Sequence, residues 1–213
     1  MNKNEKFIIS INRELGSGGR TIGSMLATRL GVPFYDKALI KALEEKYNLT
    51  LEEIETLKGR SHSWWADFKR VMGMGYSLHN SPDMKMPIVN EPDLLTTDDM
   101  YKTEVEILHG IAETESCVVA GRTGFYIYRD HPNHMSILIK ASMQHRKQRL
   151  ATKRGISLDE AESIIKKVDQ MRENYISKYT GTSRYDSRYY DLVINMDGKN
   201  EEQVVDLILQ YIG

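Results

Sequence analysis

The chain carries a single cysteine, Cys117, so an internal disulfide is excluded and a reducing compartment suits it. Proline is scarce, five in 213 residues, and three of the five (Pro82, Pro87 and Pro92) crowd into one stretch. Neither sign of charge dominates: 29 Lys and Arg stand against 30 Asp and Glu, a formal net charge of −1. That balance supplies no bulk field to recruit nucleic acid or an anionic membrane, so any anion site must be built locally. No apolar run approaches the roughly 18 residues of a membrane-spanning helix. The opening "MNKNEKFIIS" lacks an extended apolar core followed by a small-residue cleavage site. Repeats and low-complexity tracts are missing as well. These absences lead us to expect a soluble, cytoplasmic protein with no nucleic-acid or membrane partner, organised as one domain over 1–213.

Five short apolar runs read as buried strands: Phe7 to Ile11, Val32 to Tyr35, Cys117 to Ala120, Met135 to Ile139 and Leu192 to Ile194. Helical periods lie between them. Ile22, Met25, Leu26 and Leu30 make one stripe, Ala38, Leu39, Ala42 and Leu43 a second, and Ala161, Ile164, Ile165, Val168, Met171 and Tyr175 the longest. Thr50 with Glu53, Ser157 with Glu160 and Asn200 with Gln203 have the spacing of capping boxes. Strands alternating with helices predict an α/β fold, a parallel sheet with helices on both faces. The rhythm breaks at about 59–97, which holds Trp64, Trp65 and "MGMGYSLHNSPDMKMP". So long an aperiodic stretch reads as an insertion carrying short helices poised over the sheet, or else as a disordered connector, and is equally suited to covering a site or to packing a homodimer.

The run "SINRELGSGGRTIGSML" puts Gly16-Ser17-Gly18-Gly19 between a strand and a helix. In that context backbone amides and the helix start attract an anion. The Walker pattern Gly-x-x-x-x-Gly-Lys-Ser/Thr is not met. Aligned on "GSGKST", the sequence reads "GSGGRT": Gly19 stands at the lysine position, Arg20 follows it, and the leading glycine falls at Arg13. Arg20 beside Arg13 would bracket the concavity of amides with two cations, and Arg20 is expected to stand in for the missing one, since a guanidinium can grip phosphate through two parallel bonds. The Thr21 hydroxyl is the candidate for magnesium. A tight strand-to-helix turn explains the same glycines without any ligand. Arg122, just past the strand in "VVAGR", sits at the carboxyl edge where α/β sheets bind ligands, or else caps the strand. Arg146 and Arg149, three apart, share a helix face and can equally be a solvated charged surface. His131 and His134 have no carboxylate or cysteine spacing that would complete a zinc set.

Three blocks together resemble the cytidylate kinase-like family, a branch of the P-loop nucleoside-monophosphate kinases. They are "ISINRELGSGGRTIGSMLATRLGVPFYDKALI", "CVVAGRTGFYIYRDHPNHMSILIKASMQHRKQRL" and "YYDLVINMDGKNEEQVVDLILQYIG". The resemblance implies a three-layer P-loop nucleoside-monophosphate kinase fold with a five-stranded parallel sheet and a lid at about 146–190. It implies ATP held by Gly16, Ser17, Gly18, Gly19, Arg20 and Thr21, with magnesium, and a nucleotide acceptor such as CMP or dCMP. Arg122 would meet the acceptor phosphate, and Asp36 would contact acceptor sugar or base, although Asp36 is also placed to cap a helix. Arg146, Arg149 and Arg172 would close over the phosphates, Asp169 orienting Arg172, with Arg184 nearby on the substrate side. Thr123 stands where ordinary cytidylate kinases carry aspartate, and their closely spaced Arg-Asp lid repeats are thinned. A kinase for another small metabolite and a nucleotide sensor without turnover are the other readings of these residues.

Overall fold

The computed structural model describes residues 1–36 and 98–213. The acceptor-side insertion at 59–97, the stripe from Ala38 to Leu43 and the Thr50–Glu53 cap lie outside the described residues.

All five apolar runs form strands: β1 (Ile8–Arg13), β2 (Phe34–Asp36), β3 (Cys117–Ala120), β4 (His134–Lys140) and β5 (Leu192–Asn195). They make one parallel sheet in the order β2-β3-β1-β4-β5. The first strand is therefore central, with Ile9 opposite Val118 on one side and Met135 on the other. Its alternation explains the layers. Ile9 and Ile11 point into a core shared with Ile22 and Leu26 of α1 (Gly19–Leu30) and with Val204, Val205 and Ile208 of α6 (Glu201–Ile212). Each fully buried aliphatic side chain there contributes roughly 1.5–3 kcal/mol.

On the opposite face Ser10 lies against Gly124 of the short α3 (Gly124–Ile127). The Tyr128 hydroxyl that follows α3 donates to the Leu108 carbonyl of α2 (Asp98–Thr114) at 2.9 Å. Helices cover both faces, as the alternating pattern predicts. Two further helices, α4 (Met143–Arg154) and α5 (Leu158–Thr180), pack on each other through Leu150, Ala151, Ala161 and Ile165. The two of the three sequence caps that fall among the described residues form: Ser157 accepts from Glu160 N, and Asn200 with Gln203 makes a reciprocal capping box. Among the described residues no helix is long and apolar enough to cross a membrane.

Candidate active site

Strand β1 ends at Arg13, and the chain loops through residues 14–18 into α1. The loop is tied internally: Ser17 donates to the Glu14 carbonyl from both its amide (3.3 Å) and its hydroxyl (2.9 Å). Glu14 in turn accepts from Ala141 N at 2.9 Å and so fixes the loop to the end of β4. Two of its glycines are required by geometry. Gly16 and Gly18 have φ of 85° and 84°, and a Cβ at Gly16 would come within 2.7 Å of the Arg146 carbonyl oxygen. The first bond at the start of α1 runs from Ile22 N to Gly18 O at 3.1 Å, which leaves the amides of Gly19, Arg20 and Thr21 directed out of the helix end. That is the arrangement an anion needs. The hydroxyl of Ser17, by contrast, is spent inside the loop.

Arginines from three helices and from the turn after α5 surround this loop. Asp169 of α5 is their hub: it accepts Leu15 N at 3.0 Å and Arg146 Nη1 at 2.5 Å, with Arg184 Nη1 at 3.5 Å and Arg172 Nη1 at 3.8 Å. Asp169 thus touches arginines and the loop backbone. Arg146 also faces Glu14, its Nε 3.7 Å from the carboxylate. Arg172 donates to the Arg13 carbonyl at 3.2 Å, and Arg184, fully buried, donates to the same oxygen. Arg20 reaches toward the end of β2, where its Nε meets buried Asp36 at 2.5 Å. Arg149 leans across the helix start: Nη1 lies 2.5 Å from Glu201 and Nη2 donates to Thr21 Oγ1 at 3.3 Å. Beside it an open cavity of about 580 Å³ is lined by His145, Gln148, Arg149, Thr152 and Lys153.

At the end of β3 the backbone runs through three consecutive residues with positive φ: Gly121 (80°), Arg122 (54°) and Thr123 (55°). Two non-glycine residues held there cost on the order of 1–3 kcal/mol each, strain of the kind that clusters at functional sites. Arg122 is buried and forms an ion pair with Glu104 of α2, whose other oxygen accepts the Tyr175 hydroxyl at 3.1 Å. Glu104 escapes the sequence reading, yet it leaves a trace there. It falls in helical register with Ile107, Leu108 and Ile111, a carboxylate on an apolar stripe that demands a buried cation. Tyr175 and Tyr179 pack with Tyr101, the Tyr101 and Tyr179 rings stacked 4.0 Å apart. No carboxylate, cysteine and histidine cluster suited to a metal occurs among the described residues.

The model of the cytidylate kinase-like family matches residues 8–198, nearly the whole chain. The chain belongs to the cytidylate kinase-like family. A cytidylate kinase of Sulfolobus acidocaldarius is 30% identical over 113 residues, 53% of this chain and 61% of that protein. A cytidylate kinase of Saccharolobus islandicus is 28% identical over 108 residues, 51% of this chain and 57% of its own length. The chain thus spans less than two thirds of the curated relatives it matches. A crystal structure of an uncharacterized protein from Eubacterium ventriosum ATCC 27560 shares the fold at a TM-score of 0.68 and 24% identity, covering 97% of this chain and 98% of that one.

Family membership implies ATP and magnesium. The loop amides fit a polyphosphate. Two oxygens beside the start of α1, the Thr21 hydroxyl and the Glu201 carboxylate, do not fit a protein-held magnesium: both lie against the Arg149 guanidinium, a cation where a cation would have to bind. The expected role of Thr21 as a metal ligand therefore meets an arginine instead.

Proposed function

We propose that this chain transfers the terminal phosphoryl group of ATP to a nucleoside monophosphate, CMP or dCMP by preference, giving the diphosphate. The observation that carries this reading is the pairing of a phosphate loop at the end of β1 with Arg122 at the end of β3, its hydrogen-bonded neighbour in the sheet. Adjacent parallel strands lie about 4.8 Å apart, so a donor seated at one end and an acceptor at the next meet in line. The amides of Gly19, Arg20 and Thr21 would hold the donor phosphates, and the cavity beside Arg149 would take the rest of the nucleotide. Arg20, salt-bridged to Asp36, stands between donor and acceptor sides.

The reaction needs little covalent help. An acceptor phosphate oxygen, already anionic, forms the new bond to the γ-phosphorus; the bond to the β–γ bridging oxygen breaks, and ADP leaves with that electron pair. No general base is required. The arginines would contribute by neutralising charge on the transferring group: Arg172 and Arg184, which bond the Arg13 carbonyl, and Arg146, held by Asp169. A coupled assay with the common nucleoside monophosphates should give diphosphate with at least one, cytidine nucleotides fastest. Absence of turnover with every one of them overturns the reading.

One observation favours a different acceptor. Arg122 already has a buried carboxylate partner in Glu104, so an acceptor phosphate would have to share that guanidinium. A small phosphorylated or hydroxylated metabolite is the second reading. A thermal-shift screen of nucleotides and metabolites separates the two, because selective binding raises the melting temperature.

A further inference from the structure

The loop lacks its lysine, and the geometry points to Arg13, rather than Arg20, as the cation that stands in for it on the donor phosphates. This deepens the kinase reading and rests on it. In the alignment with the Walker pattern, the long cation and the bare glycine have exchanged places: the lysine position holds Gly19 and the leading-glycine position holds Arg13.

In space the exchange is physical. A Cβ built on Gly19 would lie 2.6 Å from Arg13 Cβ and 3.2 Å from Arg13 Cγ, so the arginine stem crosses the volume into which a side chain at 19 would project. Gly19 is helical, without positive φ, so it is glycine for want of space and not for backbone freedom. The far end of Arg13 is located by a second glycine. A Cβ on Gly121 would fall 2.0 Å from Arg13 Nη1. The guanidinium therefore reaches from the end of β1 to the end of β3, one residue short of Arg122, across the interval the phosphoryl group must travel.

Its charge is also the uncommitted one. Arg20 is paired with Asp36, Arg122 with Glu104, Arg146 with Asp169, and Arg149 with Glu201. Arg172 and Arg184 bond the Arg13 carbonyl and lie near Asp169. The Arg13 guanidinium makes no ion pair or side-chain hydrogen bond among the described residues. Burial, with Arg172, Arg184 and Arg20 close by, pushes its pKa down to about 9 against the pull of Asp36. A cation held under that repulsion is relieved by an arriving anion.

Arg13→Met keeps the stem over Gly19 and removes the charge. We expect it to melt within a few degrees of wild type and to bind ATP and inorganic tripolyphosphate about 10- to 100-fold more weakly in calorimetric titrations, the range for a charge-assisted bond. Arg13→Lys should recover part of that loss. Gly19→Lys alone should melt lower with no gain in affinity, since Arg13 blocks the added side chain. The double variant Arg13→Gly/Gly19→Lys should bring tripolyphosphate binding back to within about threefold of wild type. Wild-type affinity in Arg13→Met, with the loss appearing in Arg20→Met instead, overturns the assignment and leaves the kinase reading standing. Failure of the wild-type protein to bind either ATP or tripolyphosphate overturns both.

Discussion

Asp169 gathers more cationic partners than one carboxylate can neutralise, with Arg146, Arg184 and Arg172 around it and the Leu15 amide on the same oxygen as two of them. Its side chain and that of Arg146 are both largely buried. Removing the negative charge leaves buried guanidinium groups facing one another, which is the costly way to break a buried pair. Asp169→Asn should therefore lose about 3 kcal/mol of stability in urea unfolding, well beyond an exposed ion pair such as Arg29–Asp206. A loss below about 1 kcal/mol would mean the arginines are solvated rather than organised by this carboxylate. The residue types at 146, 169, 172 and 184 were legible in the sequence. Their convergence on a single oxygen pair was not, because helix spacing gives the face of α5 and says nothing of what packs on it.

At the scale of elements, the local signals translated well wherever they were local in origin. The Asn200–Gln203 box is fixed by three residues of spacing, and it forms in full. Asn200→Ala should cost about 1 kcal/mol, seen as a lower melting temperature, with nucleotide affinity unaltered since the side chain serves α6 alone. The turn after β3 behaves differently. Gly121 at φ 80° would place a Cβ 2.0 Å from Arg13 Nη1, so Gly121→Ala combines backbone strain with displacement of that guanidinium. We expect it to weaken nucleotide binding more than Gly31→Ala, where φ is 67° but nothing lies within 4 Å; equal affinities in titration would contradict this. The sequence marked Gly121-Arg122 as a strand exit, but not the left-handed run through Thr123, which depends on how α3 is held against Ser10. Helix α2 was missed for a related reason: its stripe carries Glu104, a charge acceptable there only because Arg122 arrives from β3.

For the whole molecule, the sheet sets the response to acid. His134 opens β4 and bonds Ser10 of β1 through its Nε2 at 2.8 Å. Burial holds its pKa down to about 4, with His131 adding to the shift and Asp191 and the Tyr128 backbone opposing it. The unfolded imidazole titrates near 6.5, so the unfolded chain takes up the proton first as pH falls. The stability contributed is complete above about pH 6.5 and is lost progressively down to about 4. Between pH 7 and 4.5 this group should remove about 2.5 kcal/mol, and His134→Gln should reduce the acid sensitivity of the urea midpoint by roughly that much. An unchanged pH dependence in the variant would place the acid response elsewhere. By itself the amino-acid sequence determined what depends on near neighbours: five buried strands, amphipathic helices, their caps, and a glycine loop bare of its lysine. Tertiary structure alone decided the strand order, the Arg122–Glu104 pair and the crossing of Arg13 over Gly19 to Gly121. The pair and the reach of Arg13 to Gly121 join residues well separated along the chain, and the pairing of β1 with β3 brings the ends of those two strands side by side.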